Sequence, residues 1–283
     1  MEIKSLENTP LSEIATCFND AFTDYFVKIA ATEQYLQNRW RANRVDYSLS
    51  FGAFEKGKLI AFIIHGIDNL NGKKTAYNAG TGVIPEFRGQ KLVAQLYDFA
   101  LPRLKAAGVM QSTLEVITQN YKAIKAYQNV GFKNTRTLNC FNGSFQVKEL
   151  SEPSHKNYQL KIDQHIDFNL LQPLHNFDFS WENKDEAVKI IRNDLENWQV
   201  YENGNLKGYV ILNPATGAIM QLGFENESIT PVSNKLFKAI SEKIPVVRIN
   251  NIDSQAQEIV TLLKAYSLKN TIDQFEMLLE IQN

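Results

Sequence analysis

The residues whose types and spacing could do chemistry cluster between residues 81 and 132. Arg88, Gly89, Gln90 and Lys91 follow a strand-like stretch that turns at Pro85 and precede a helical one. At such a junction the first helical N–H groups have no intrahelical partner and the helix dipole is positive, which favours an anion. Arg88 and Lys91 add positive charge, and Gly89 lets the backbone approach a ligand with no Cβ in the way. Downstream, Glu115 lies in the run Leu114-Glu115-Val116, followed by Asn120 and Tyr127. Asn120 and Tyr127 are two helical turns apart and so share one helix face. Asp24, Tyr25 and Phe26 place a carboxylate beside aromatic rings, a combination that suits a cationic amine. His65, His155, His165 and His175 show no ligand spacing, nor do Cys17 and Cys140, so no metal is expected. No G-x-x-x-x-G-K-[ST] phosphate loop occurs.

The elements that must position these groups can be read from periodicity and punctuation. Residues 1–8 form a short strand. Thr9-Pro10-Leu11-Ser12-Glu13 reads as a helix start, with Leu11, Ile14, Phe18 and Phe22 at helical spacing. Thr32 opens a second helix to about Asn43. Ser48 to Phe54 and Leu59 to Ile67 are strands joined at Lys56-Gly57-Lys58, and Asn71-Gly72 marks another tight turn. A strand from Thr75 to Ile84 enters the basic loop; a helix, the Leu114 strand, a second helix and a strand from Thr135 to Phe145 follow. Ser151 to Lys156 is polar and aperiodic, and reads as a linker. Beyond it the pattern gives a helix (Lys184 to Glu196), strands (Trp198 to Glu202, Gly208 to Asn213, Ala218 to Phe224) and a helix (Val232 to Lys243). A strand (Val246 to Ile249), a helix (Ser254 to Tyr266) and a last strand (Gln274 to Glu280) complete it.

That order repeats the first half. Lys125-Ala126-Tyr127 before Lys133-Asn134-Thr135 is also echoed by Lys264-Ala265-Tyr266 before Lys269-Asn270-Thr271. The reading is two domains of one fold, 1–150 and 151–283, with the second degenerate. Its counterpart of the basic loop, near Asn226 to Val232, has no Arg-Gly and no basic residue, so no phosphate is expected there.

Across all 283 residues, 30 Lys and Arg face 31 Asp and Glu, a net charge of −1. That balance argues against a broad electrostatic grip on nucleic acid or anionic lipid. The chain is 44% hydrophobic, without an apolar N-terminal region or a membrane-length apolar run. With two cysteines and no disulfide framework, a cytoplasmic setting is expected.

The central stretch resembles the GNAT family, the Gcn5-related N-acetyltransferases. Val83-x-Pro85 and the loop Arg88-Gly89-Gln90-Lys91-Leu92-Val93 are similar to its phosphate motif. Leu114-Glu115-Val116, Asn120, Ala123, Tyr127, Gly131 and Phe132 match its second motif. The first motif departs at Lys91, where the family usually has Gly, and at Val93, where it has Gly or Ala. Both side chains crowd the approach of the backbone to a pyrophosphate. The resemblance implies an α+β fold with a mixed, mostly antiparallel sheet flanked by helices, in two copies.

It also implies acetyl-CoA as cosubstrate, with the amides of Arg88 to Val93 on the pyrophosphate and Asn120 fixing the coenzyme or the helix start. In this family two neighbouring strands splay, so Val83 and Ile84 would hydrogen-bond the coenzyme amides. Tyr127 resembles the general acid for the leaving thiolate and Glu115 the base for the attacking amine. Tyr77 and Asn78 would line the same cleft, and Asp24, Tyr25 and Phe26 the acceptor side. The acceptor is a small-molecule amine or a peptide N-terminus; antibiotic, polyamine, amino acid and protein N-terminus all stay open, as do monomer and homodimer. The rival reading is a non-catalytic protein that binds or senses acyl-CoA, and the two loop departures favour it.

Overall fold

The computed structural model describes residues 1–26, 31–147 and 157–281, and the linker expected at 151–156 lies outside them. The chain divides into two compact units, residues 1–135 with 275–283, and residues 136–274. This division by compactness differs from the repeat in element order, because the end of the last strand is counted with the first unit.

The first unit opens with strand β1 (Glu2–Ser5), helix α1 (Leu11–Ala21) and helix α2 (Glu33–Ala42). The Thr32 hydroxyl accepts from Tyr35 N–H and caps α2. A strand was expected from Ser48, but Asp46 accepts from the Ser48 N–H at 2.9 Å and sets a 3₁₀ turn over Tyr47–Leu49. Strand β2 therefore begins later (Phe51–Glu55). It turns at Lys56-Gly57, both at positive φ, into β3 (Lys58–Leu70). The Asn71-Gly72 turn, also at positive φ at both residues, leads into β4 (Lys73–Val83). Helix α3 (Leu92–Ala106), strand β5 (Gln111–Ile117) and helix α4 (Tyr121–Val130) follow.

Strands β1 to β4 are antiparallel neighbours, whereas β4 and β5 are parallel. Strand β3 is buried from Leu59 to Gly66 because helices cover both its faces there. On one face Phe18 of α1 stacks on Phe62 at 6.0 Å between ring centroids. On the other, His65 meets Tyr97 of α3 at 6.3 Å. The last strand, β12 (Lys269–Glu280), contributes its second half to this unit. Thr113 Oγ1 donates to Met277 O at 3.0 Å and Ile281 N–H to Met110 O at 2.9 Å, which ties that half to β5.

The second unit starts within β6 (Lys133–Gly143). Strand β7 (Tyr158–Asp163) and the short helix α5 (Phe168–Leu171), neither among the elements expected, come next. Helix α6 spans only Asp185–Ile191, not the Lys184 to Glu196 expected. Glu196 onward is claimed by β8 (Glu196–Glu202), which pairs on both sides, with β7 and with β9 (Asn205–Asn213). Then come β10 (Ala218–Phe224), α7 (Ile229–Lys243), β11 (Val247–Asp253) and α8 (Gln257–Ala265). Its core gathers Trp198, Phe224, Phe237 and Tyr266, with Phe145 stacked on Phe237 at 4.0 Å. As β4 does with β5, β10 runs parallel to β11, here over only Ala218–Ile219. Each unit thus has the same plan: an antiparallel meander, a helix, a parallel strand and a helix.

Candidate active site

The site's residues lie in the first unit. Strands β4 and β5 pair only from Thr75↔Gln111 to Tyr77↔Thr113, and then separate. The cause is local. Ile64 and His65 are adjacent on β3 but face Gly80 and Asn78 on β4, so Ala79 is an extra, bulged residue. A bulge increases twist and bends its strand, which peels β4 away from β5. Further along, Ile84 N–H donates to Ile60 O on β3 at 3.0 Å. Alternation along the strand then turns the peptide groups of Val83 the other way, into the splay. Ile84 itself has both backbone groups engaged, since its carbonyl accepts from Phe87 N–H at 3.0 Å.

The bulge has a second effect. Asn78 and Thr81, three residues apart, come to the same face. Asn78 Nδ2 donates to Thr81 Oγ1 at 2.7 Å and to Tyr97 Oη at 2.8 Å, while its Oδ1 accepts from Gly80 N–H at 3.0 Å. The Tyr127 hydroxyl joins this network through Thr81. Its ring packs edge-on against Phe132 at 5.8 Å and Tyr97 at 6.4 Å. Burial pushes the Tyr127 phenol up to about 12, so it stays protonated at neutral pH. Helix α4 presents it rigidly: Asn120 caps the start by accepting from Ala123 N–H at 3.2 Å. Gly131, at φ 114°, ends the helix with its N–H on the Tyr127 and Gln128 carbonyls.

Tyr77 faces the opposite way from Asn78, as neighbours on a strand must. Its hydroxyl donates to Glu115 Oε2, so Glu115 and Tyr77 form one group and Asn78 and Tyr127 another, on the two faces of the splay. The residues named together in the sequence as cleft-lining are brought to one opening, but from both sides of the sheet.

The basic loop sits at the end of β4. Lys91 is the residue before α3 and takes left-handed geometry at φ 57° and ψ 26°, a conformation that suits Gly. Among the described residues, the N–H groups of Gly89, Gln90, Lys91, Leu92 and Val93 have no acceptor within the chain. Leu92 offers only its backbone, because its side chain is buried in the core. The Arg88 side chain is directed elsewhere: its guanidinium forks onto Asp24, at 2.6 and 2.7 Å. That pair holds the Asp24 carboxyl down at about 2. The Tyr25 hydroxyl meets Asn120, and burial raises its pKa against that hydrogen bond. Phe26 is exposed. Thr81 and Tyr97 were not singled out in the sequence; the signal for Thr81 was a hydroxyl residue between Gly80 and Gly82 near the end of β4. In the second unit the corresponding junction, between β10 and α7, carries its own carboxylate. Glu225 accepts from Ser228 Oγ at 3.0 Å and from Lys207 Nζ at 2.7 Å.

The parallel pair that splays beside a loop of free amides, with a buried tyrosine on the following helix, lies within the region that the sequence comparison matches. Residues 13–132 match the signature of the Acetyltransferase (GNAT) family. This region of the chain is similar to the GNAT acetyltransferases. No curated protein matches the chain by sequence. Solved structures match the fold over its whole length. A tandem GNAT protein from the clavulanic acid biosynthesis pathway is similar with a TM-score of 0.68 at 10% identity, covering 100% of this chain and 99% of that one. A GCN5-related N-acetyltransferase from Sphaerobacter thermophilus gives 0.69 at 11% identity, covering 100% and 96%. One from Anabaena variabilis gives 0.61 at 13%, covering 99% and 73%. The chain therefore has the GNAT fold, in two copies. Among the described residues there is no cluster of candidate metal ligands and no helix long and apolar enough to cross a membrane.

Proposed function

We propose that this protein is an acetyl-CoA-dependent N-acetyltransferase. Residues 1–150 would be the working copy and 151–283 a copy that holds no coenzyme. The observation that carries the reading is the β4–β5 splay ending in five free amides. An anion placed at Gly89 to Val93 meets unpaired N–H groups at the positive end of α3. An extended chain with amide groups can pair with the Val83 edge, whose carbonyl already accepts one hydrogen bond from Arg88 Nε–H and has a second lone pair to offer. Acetyl-CoA, when bound, supplies an activated acetyl group.

The chain's own residues would do the rest. Glu115, oriented by Tyr77, takes the proton of the attacking amine, directly or through water. Tyr127 remains a phenol across the working range and donates its hydrogen bond toward the departing sulfur. A thiol has a pKa of about 8.5, below that of the buried phenol. The hydroxyl therefore acts first as a donor, and solvent restores any proton it gives up. Asn78 and Thr81 fix its direction. The acceptor is an amine, on a small molecule or at a peptide N-terminus. The two free, buried cysteines suit a reducing cytoplasm.

Lys91 favours a second reading, that of an acyl-CoA-binding protein without turnover, because its side chain stands where the backbone should be bare. Calorimetric titration with acetyl-CoA, followed by free-thiol release over a panel of amines, separates the two. Micromolar affinity is about −8 kcal/mol. On the enzyme reading Tyr127→Phe keeps that affinity and lowers turnover by roughly 10²- to 10⁴-fold. Binding with no thiol release from any amine supports the second reading, and absence of binding rejects both.

A further inference from the structure

Arg88 is the basic residue that the sequence would place on a phosphate, yet its donors are taken inside the chain. Nε–H donates to Val83 O at 3.2 Å. Nη2 donates to Ala21 O at 3.0 Å and to Asp24 Oδ1 at 2.7 Å, and Nη1 to Asp24 Oδ2 at 2.6 Å. A guanidinium has five N–H groups, and these bonds use four of them. Gripping a phosphate takes a two-pronged fork, which one remaining N–H cannot supply. The partners come from three places: the end of β4, the last residue of α1 and the segment that follows it. Arg88 is 40% exposed and Asp24 63%, so geometry rather than burial gives the contact its specificity.

The segment is held elsewhere too. At its base, Asn19 Nδ2 donates to Ala31 O at 3.0 Å and Asn19 Oδ1 accepts from Ala31 N–H at 2.9 Å. Next to Asp24, the Tyr25 ring packs edge-on against Phe22 at 4.9 Å and Phe26 at 5.6 Å. The Tyr25 hydroxyl meets Asn120, which caps the helix carrying Tyr127. Residues 22–26 are thus pinned by Arg88 at the β4 side of the splay and by Asn120 at the β5 side.

We propose that Arg88 is a positioning residue for the acceptor side: through Asp24 it holds Phe22–Phe26 across the open end of the β4–β5 splay, with Tyr25 beside Tyr127. The inference rests on the acetyl-transfer reading. It moves Arg88 from phosphate binding to acceptor geometry. It also removes Asp24 as a counter-ion for the amine, since both its oxygens face the guanidinium. What the segment offers an acceptor is then the aromatic pair Tyr25 and Phe26.

The test compares wild type, Arg88→Ala, Asp24→Asn and the charge exchange Asp24→Arg with Arg88→Asp. Three quantities are read: calorimetric affinity for acetyl-CoA, amide hydrogen exchange over residues 22–26, and KM against kcat with 2-phenylethylamine as acceptor. Arg88→Ala and Asp24→Asn should each speed exchange in the segment about 10-fold or more. They should raise the amine KM similarly and leave acetyl-CoA affinity within about 3-fold. The charge exchange should recover most of both effects, which a merely structural role would not predict. The proposal is overturned if Arg88→Ala weakens acetyl-CoA about 10-fold while Asp24→Asn changes neither exchange nor KM. If wild type binds no acetyl-CoA, the acetyl-transfer reading fails separately. The exchange comparison still decides the tie, and unchanged exchange in both single variants rejects it.

Discussion

Acidification should weaken the first unit through His65. This side chain is fully buried on β3. Its Nδ1 lies 2.7 Å from Leu49 O, which can only accept, so the ring proton sits on Nδ1. Nε2 is buried with no partner, and the rings of Phe51 and Tyr97 flank the imidazole. A second proton would place a charge and an unmatched N–H in that apolar site. Burial accordingly lowers the His65 pKa from 6.5 to about 4, opposed in part by the bond to Leu49. The folded state binds the proton less readily than the unfolded chain. This stability is therefore fully present above pH 6.5 and is lost as pH falls toward 4.

At pH 5 the unfolded chain gains about a 30-fold advantage from this one group, and nearly none at pH 7; the difference is about 2 kcal/mol. Asp24, whose carboxyl titrates near 2, does not contribute in this window. His175 in the second unit is also lowered by burial and must be removed as a variable. Urea unfolding at pH 7, 6 and 5 should be run on His175→Gln and on the double variant with His65→Gln, which has no imidazole to titrate. The imidazole Cε1–H resonance of His65 gives an independent reading that survives a poorly folding variant. The expected result is a loss near 2 kcal/mol that is absent from the double variant. Equal slopes in the two proteins, or a His65 resonance titrating near pH 6.5, would refute the reasoning.

Other outcomes follow from packing and backbone geometry. A Cβ on Gly82 would lie 2.6 Å from the Phe62 ring and 2.8 Å from Ala21, where α1 sits on β4. Gly82→Ala should cost roughly 1–3 kcal/mol, read as a lower urea midpoint with an unchanged m-value. Lys91→Gly relieves left-handed strain of about 1–2 kcal/mol, partly offset by glycine's freedom in the unfolded chain, so stability should hold or rise slightly. Its acetyl-CoA affinity should rise too if the Lys91 side chain crowds the loop; a tenfold loss would show that its charge matters more. In the pH dependence of turnover, Tyr127 should produce no basic limb below pH 11, because its phenol titrates at about 12. A limb near pH 10 that vanishes in Tyr127→Phe would contradict that burial effect.

Much of the chain was legible because its signals are local. Asn71-Gly72 fixes its turn through positive φ at both residues, and Asn120 and Gly131 start and stop α4 with bonds to near neighbours. The stretch from β4 through α4 reads almost residue by residue for the same reason. Tyr158–Asp163 alternates apolar Tyr158, Leu160 and Ile162 with polar Gln159, Lys161 and Asp163, so the signal of an edge strand was present, but the run is short and follows directly on the polar linker. Trp198 to Glu202 read as a strand, but Glu196 was assigned to the preceding helix, and pairing on both sides gives it to β8. Gln274 to Glu280 was readable as a strand, but its neighbours were not. Thr113 and Met110 hold its second half in the first unit, and only long-range hydrogen bonds specify that.

The sequence by itself determined the repeated order of elements, the basic loop at a helix start, and the spacing of Glu115, Asn120 and Tyr127. Turn residues, caps and periodic apolar faces act over a few positions, so composition and spacing suffice to specify them. Tertiary structure decided where β4 parts from β5, because one bulged residue at Ala79 is defined only against its partner strand. The same bulge put Thr81 beneath Tyr127. The structure also decided the partner of Arg88. A long, charged side chain can reach many groups, and Asp24, far away in sequence, became its partner only when α1 packed on β4.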